Sequence, residues 1–307
     1  MTGLQTVRPN PPQIYQKSAD PRISYELIPN IRRKAYRQTV TTNSLGLRSP
    51  EPDATKDTIV MLGDSIAFGY GIADEETLAA QLAEHWTEFN VLNAGTPGYH
   101  LGMETALYEE KLAELNPVML MLVFHYNDFD AQTGWLDALG IIRAPNWEPT
   151  EQECNPITTG LLGLLPGKCW LDGHSAFYKA VKKLVNMRAA NEALTATRTQ
   201  EEKPEAPHED TTKEQLLAYL AQMDALMAIL PKNMPKVFII WPDRYLHEKS
   251  RPQLNAAVEK RGFTVVDLYN TFGNEVEVLG WDTVHPSPSA VAEAAEVISA
   301  YLGLSEK

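Results

Sequence analysis

Residues 118–124, Val-Met-Leu-Met-Leu-Val-Phe, are apolar at every position. A strand with one wet face alternates polar and apolar side chains, so an unbroken run of strand length demands cover on both faces. The run is far short of the roughly 20 residues that a bilayer span requires. It therefore reads as a central strand between two layers of helix. Its neighbours agree. Residues 57–62 form a second strand-like run, and 75–89 place Leu78, Leu82 and Phe89 at near-helical spacing behind an acidic first turn. Residues 90–92 are a short strand candidate, and a second helix over 103–115 stops near Asn116-Pro117.

After a break, the pattern predicts a helix over 213–230, a strand over 236–241, a helix over about 250–261 and a strand over 264–267. A C-terminal helix follows, with Val291, Ala294, Ala295, Ile298 and Tyr301 marking one face. Strand and helix alternating in this way means parallel crossovers. The fold class is α/β, a doubly wound, mainly five-stranded parallel sheet with helices on both faces.

Residues 1–55, rich in Pro and Arg, read as an N-terminal arm ending in a short hairpin near 41–46. Residues 56–307 read as one domain interrupted by an insertion over 129–212. Its first part carries Trp135, Trp147 and Trp170 among many Gly and Pro and reads as a lid-like segment; the polar stretch from 191 reads as a mobile linker. Two cysteines, Cys154 and Cys169, lie in the first part. They are either unpaired thiols or a disulfide closing the insertion, which would imply an oxidising compartment and stabilise the loop by ~3 kcal/mol. The start of the chain has no apolar segment of a secretory signal, which leaves open an anchor or signal outside the given chain. The formal net charge of −13 argues against nucleic acid as a partner, because phosphate binding needs clustered Lys and Arg.

In an open parallel sheet, ligands bind beyond the carboxyl ends of the strands. Those ends carry Gly63-Asp64-Ser65, the stretch Asn93 to Tyr99 with Gly95 and Gly98, His125-Tyr126-Asn127-Asp128, and Trp281-Asp282-Thr283-Val284-His285-Pro286. Each alone has a bland explanation. A Gly-Asp-Ser tripeptide can be a helix cap, an Asp-x-x-His a turn, and a glycine pair a loop needing positive φ. All four in this chain order make a sharper signal.

The set resembles the SGNH (GDSL-type) hydrolase family over roughly residues 57–128 and 264–302. The resemblance implies a flavodoxin-like SGNH hydrolase fold and a serine esterase acting through an acyl-enzyme. It makes Ser65 the nucleophile, with Gly98 and Asn127 in the oxyanion hole and Asp282 and His285 completing the triad. His125 stands where the family most often has glycine. The arm, with Asn43-Ser44-Leu45-Gly46-Leu47-Arg48 leading into the first strand, is similar to the run-in of membrane-tethered bacterial members. With the cysteines it tilts the expected location toward periplasmic or secreted, with cytoplasmic as the alternative.

The residue chemistry supports each role. A serine hydroxyl needs an adjacent base, and His285 has an acid, Asp282, spaced to serve it from the same short loop. Asp282 can hold the imidazole tautomer whose Nε2 faces Ser65. The Ser65 and Gly98 N–H groups and the Asn127 amide would receive the developing oxyanion. Trp241, Trp281 and His125 are candidates for the substrate cleft, although core packing explains either tryptophan almost as well, and Asp243 and His247 are further candidates for substrate contact. No metal and no cofactor are expected, and the partner is a small-molecule acyl ester, with an O-acetylated saccharide or a lipid among the options. Oligomeric state is unknown.

Four rivals remain in view. A metal site on Asp128, Asp282 and His285 lacks a second His or Cys cluster of suitable spacing. A phosphate loop lacks the Gly-Lys-Ser/Thr ending that Tyr70-Gly71-Ile72 would have to supply. An O-acyltransferase would use the same triad with a sugar hydroxyl in place of water, and a ligand-binding module would hold the site idle.

Overall fold

The structure, a computed structural model, describes residues 13–130, 132–137, 140, 142–146 and 211–304. Gly167, Trp170, Leu171, Ser175, Phe177, Tyr178 and Val181 are described as isolated positions. Most of the expected insertion, including Trp147, Cys154, Cys169 and the linker up to residue 210, lies outside the described residues. Two compact units are present, Met1–Pro11 with Asn146–His208 and Pro12–Pro145 with Glu209–Lys307. The second carries the sheet and all the candidate site residues.

The arm folds into two hairpins. Strands β1 (Tyr15–Lys17) and β2 (Tyr25–Leu27) pair antiparallel, as do β3 (Arg32–Ala35) and β4 (Gln38–Thr41). The turn of the second hairpin is Tyr36-Arg37, not the 41–46 stretch. Ala35 faces Gln38 across a two-residue loop whose φ angles are 52° and 68°, the mirror-image turn that matches strand twist. The 43–47 segment is a separate tight turn, in which Asn43 Oδ1 accepts from the N–H groups of Leu45 and Leu47, both at 3.0 Å. Ile14, Ile23, Tyr25, Leu27, Val40 and Leu47 are all buried against the main core, so the arm is an integral layer of the domain.

The sheet contains β5 (Asp57–Gly63), β6 (Phe89–Asn93), β7 (Met119–Phe124), β10 (Lys236–Ile240) and β11 (Thr264–Asp267). Two short strands, β8 (Trp135–Leu136) and β9 (Ile142–Arg143), pair apart from it. All five strands run parallel, in the order β6-β5-β7-β10-β11. In chain order this is 2-1-3-4-5, the flavodoxin-like arrangement. The chain runs from β5 outward to β6, then crosses back to β7 on the other side, so the switch point lies at the carboxyl ends of β5 and β7.

Side-chain parity divides the core. Val60, Leu62, Leu120, Leu122, Phe124, Phe238 and Ile240 face one layer, while Ile59, Met61, Met121, Val123, Val237 and Ile239 face the other. Helices cover both. After the single turn α1 (Ser65–Phe68) come α2 (Leu78–His85), α3 (Leu101–Leu107), α4 (Lys213–Ile229), α5 (Ser250–Glu259), the short α6 (Tyr269–Phe272) and α7 (Pro288–Leu302). Helices α3, α4 and α5 pack on the first face with the arm, and α2 and α7 on the second.

Two helix expectations are corrected. The 75–89 helix ends at His85, and Phe89 opens β6; Trp86 closes the helix with its indole N–H on Ser299 Oγ at 3.1 Å, sealing α2 against α7. Tyr301 is 62% exposed, so the buried face of α7 is Ala290, Val291, Ala294, Ala295 and Ile298 without it.

Candidate active site

Strand β5 turns straight into α1. Gly63 makes this possible: at φ +150° an added Cβ would sit 2.7 Å from Ala67 Cβ and 2.9 Å from the Val123 carbonyl. Asp64 caps the turn, its Oδ1 accepting from the Ile66 N–H at 2.8 Å. Ser65 thus occupies the first helical position at a strand end.

The loop before α7 brings in the partners. A backbone bond from Leu279 N–H to His285 O at 2.9 Å closes the loop, and Ser287 caps α7 directly behind it. Asp282 Oδ1 accepts from the N–H groups of Val284 at 2.7 Å and His285 at 3.0 Å. Its Oδ2 lies 2.9 Å from His285 Nδ1, and His285 Nε2 lies 3.0 Å from Ser65 Oγ. A carboxylate only accepts, so Nδ1 carries the hydrogen and Nε2 is free to take the serine proton. Burial pushes the Asp282 carboxyl up, but the N–H donors of His285 and Val284 and the ring itself outweigh it and hold the group below the usual range. The three side chains expected from the sequence are therefore joined in one hydrogen-bonded line.

The second cluster surrounds Gly98 and Asn127. Gly98 has φ +80°, and an added Cβ would meet the Tyr25 hydroxyl at 2.7 Å. That hydroxyl donates to Pro97 O at 2.8 Å, and the Tyr99 hydroxyl donates back to Tyr25 O, so strand β2 clamps the loop after β6. The N–H groups of Ser65 and Gly98 have no acceptor among the described residues. Asn127 Nδ2 donates to Asp64 Oδ2 at 3.0 Å, and its Oδ1 lies 2.6 Å from His125 Nδ1. Both contacts require the same amide orientation, with His125 donating from Nδ1. Only one of the two amide hydrogens is used. Asn127→Ala tests the oxyanion role that the SGNH resemblance implies: loss of such a donor typically costs about 10²–10³ in kcat with KM little changed, measured by steady-state ester hydrolysis.

The structure revises the cleft candidates. Trp241 is 1% exposed in the core with Ile239 and Val266, and offers no surface to a ligand. His125 is 6% exposed and is spent on Asn127, so the residue that replaces the usual glycine is a brace behind that amide. Asp243 and His247 are engaged with each other at 3.0 Å, and the His247 ring stacks on Tyr126. Trp281 alone keeps its place beside the triad, half-buried against Tyr70.

Several residues were missed by sequence reasoning, and most come from the arm. Tyr70 stacks on the His285 ring at 4.1 Å, and Tyr36 packs on Tyr70 at 4.2 Å. The Arg37 guanidinium lies 4.3 Å over the Trp281 ring. Arg48 is buried beneath α1 and donates to the carbonyls of Phe68 at 3.0 Å, Gly69 at 2.6 Å and Ile72 at 2.8 Å. It also pairs with Asp74 at 2.8 Å. No periodicity marks these residues, because their roles arise from contacts far along the chain.

Below the site lies a buried acidic pair. Glu104 Oε2 and Asp128 Oδ1 have no hydrogen-bond partner among the described residues, and burial followed by the charge of Asp64 pushes both carboxyls well above the ordinary range. A raised acid binds more protons folded than unfolded, so its stabilising contribution is present at low pH and is lost as pH climbs above its ordinary value, 4.5 for Glu104. Glu104→Gln is expected to flatten the fall of stability between pH 5 and 8, read from urea midpoints across that range. An unchanged pH slope would contradict it.

Among the described residues no group of three His, Cys, Asp or Glu is arranged to hold a metal ion, and no helix is long and apolar enough to cross a membrane.

The structure is similar to several solved proteins. One is LAE5, an alpha/beta hydrolase enzyme from the metagenome of Lake Arreo, Spain, at 14% identity and TM-score 0.45, covering 83% of this chain and 99% of that one. Another is a lipase/acylhydrolase from Enterococcus faecalis, at 11% identity and TM-score 0.44, covering 81% and 97%. A third is a member of the lipolytic protein G-D-S-L family from Veillonella parvula DSM 2008, at 13% identity and TM-score 0.39, covering 80% and 97%. No protein-family model matches the chain, and no curated relative matches it. Its own sheet order and strand-end blocks say more. The fold is the one the SGNH resemblance implies.

Proposed function

We propose that the protein is a serine ester hydrolase that cleaves a small acyl ester through an acyl-enzyme. The observation that carries this reading is the continuous line Ser65 Oγ, His285 Nε2, His285 Nδ1, Asp282 Oδ2, with contacts of 3.0 Å and 2.9 Å. Such contacts are within reach for direct proton transfer.

Ser65 Oγ attacks the ester carbonyl carbon while its proton passes to His285 Nε2. The new positive charge on the ring is stabilised by Asp282, which keeps the ring oriented throughout. The carbonyl oxygen becomes an oxyanion, received by the Ser65 and Gly98 N–H groups and the second amide hydrogen of Asn127. Collapse of the tetrahedral species breaks the bond to the alcohol, which leaves with the proton from His285. Water then repeats the sequence on the acyl-serine and releases the acid.

The test is pre-steady-state hydrolysis of p-nitrophenyl acetate. A burst of p-nitrophenol approaching one per enzyme, with an acetyl group recovered on the Ser65 peptide after acid quench, is the expected result. Turnover with no acyl group on Ser65 would refute the covalent route.

A further inference from the structure

The tip of the β3–β4 hairpin is strained and packs on Tyr70, the ring that stacks on His285. Tyr36 and Arg37 both adopt left-handed φ, 52° and 68°, which L residues with side chains disfavour. The surroundings hold them there. The Tyr36 hydroxyl lies 2.6 Å from that of Tyr15, and its ring packs on Tyr70, which in turn stacks on His285. The next residue, Arg37, is thereby carried over Trp281, the neighbour of Asp282. The Arg37 side chain is exposed and forms no hydrogen bond or ion pair among the described residues, in a chain with 40 acidic and 27 basic side chains. A guanidinium that rests over a ring through its central carbon keeps N–H groups for a carboxylate, which it grips with two parallel bonds. Its field reaches the triad's neighbour: burial and Asp282 push the Tyr70 hydroxyl up, while Arg37 pulls it down.

The reaction geometry says which part of a substrate would lie here. The acyl oxygen belongs with Gly98 and Asn127, whereas the leaving alcohol takes its proton from His285. Tyr70, Trp281 and Arg37 stand on the His285 side. We propose that Arg37 is a specificity-determining residue that binds a carboxylate on the alcohol portion of the ester, with Tyr70 and Trp281 supplying flat apolar surface beside it. The substrate class is then acyl esters of acidic alcohols, for which an O-acetylated sugar acid is the simplest probe. This rests on the ester-hydrolase reading of the site.

The experiment compares kcat/KM for acetylated glucuronate and acetylated glucose in wild type, Arg37→Gln and Arg37→Lys, at low and at high salt. Taking the ratio within each variant cancels any general loss of activity or folding. Wild type is expected to prefer the acid by about 10- to 100-fold, mainly in KM, as a charge-assisted paired contact would give. The ratio should fall near one in Arg37→Gln, stay intermediate in Arg37→Lys and shrink with salt. A wild-type ratio near one, or a ratio unchanged in Arg37→Gln, overturns the assignment. An acetylated glucose 6-phosphate arm separates the anions, and preference for it with none for the glucuronate would overturn the carboxylate. Equal turnover of both sugars with an acylated Ser65 sinks only the Arg37 proposal. Failure of every ester, with Ser65 unmodified, sinks the hydrolase reading itself.

Discussion

Ser65→Ala lowers kcat for p-nitrophenyl acetate by about ten-thousand-fold or more, and His285→Ala lowers it by a similar factor. The expectation follows from their mutual dependence. Without the hydroxyl, His285 has nothing to deprotonate but water; without the imidazole, the hydroxyl keeps its proton at neutral pH. Combining the two substitutions should therefore cost little more than either alone. If the costs multiplied, the two side chains would be acting separately, and the 3.0 Å contact between them would not be the working one. Asp282→Asn tests the third member, since an amide in place of the carboxylate can orient the ring in the wrong tautomer. The fold should survive Ser65→Ala, because Asp64 caps α1 through its own side chain. A thermal midpoint within a few degrees of wild type would confirm that lost activity reflects lost chemistry.

Arg48→Ala has the largest effect expected on stability. The side chain is 1% exposed and satisfies three carbonyls in the segment that follows the nucleophile turn, besides Asp74. Removing it strands the Ile72 carbonyl at about 1–3 kcal/mol, leaves the Phe68 and Gly69 carbonyls with only long 3.4 Å contacts to Asn93 Nδ2 and the Ile72 N–H, and takes from Asp74 its ion-pair partner, leaving it the Thr41 N–H. Partial relaxation, water entry and the 32% exposure of the Asp74 side chain limit the total to about 3–5 kcal/mol. For a domain of this size that corresponds to a fall in thermal midpoint of about 10 °C. Arg48→Met separates packing from hydrogen bonding. It fills much of the volume, and covers the Phe68 ring that the guanidinium now lies over at 4.7 Å, yet supplies no donor. A loss close to that of alanine would assign the stabilisation to the carbonyls; a loss of under about 1 kcal/mol would mean the arm is not anchored in this way.

The sheet was legible because it follows from short-range rules. A strand-length run apolar on both parities calls for cover on two faces, and the ends of parallel strands mark where a site is to be sought. The roles of Ser65, Asp282 and His285 rest on the four blocks taken together and on the SGNH resemblance they carry; the structure sets the three side chains in one hydrogen-bonded line. The arm was not legible. Its hairpin turn uses Tyr36 and Arg37 where Asn or Gly would have announced it, and the strands beside it are only four residues long. The turn is held by Tyr15 and Tyr70, which no local pattern connects to it.

Trp241 is a different kind of miss. Position 241 shares parity with Val237 and Ile239, whose side chains face the α2–α7 layer. Parity alone therefore pointed inward, while the lure of an aromatic at a strand end pointed to the cleft. His125 was noticed as a departure from glycine, but its use became visible only with Asn127 and Asp64 in place, as one polar chain running under the nucleophile.

The central claim is that Ser65 is a nucleophile made reactive by His285. Treating the folded protein with an excess of a serine-directed fluorophosphonate, then mapping the adduct by peptide mass spectrometry, tests it most directly. The account predicts one adduct per chain, on the peptide containing Ser65, absent in Ser65→Ala and strongly slowed in His285→Ala. No adduct on the folded wild-type protein, an adduct on another side chain, or labelling indifferent to His285 would contradict it.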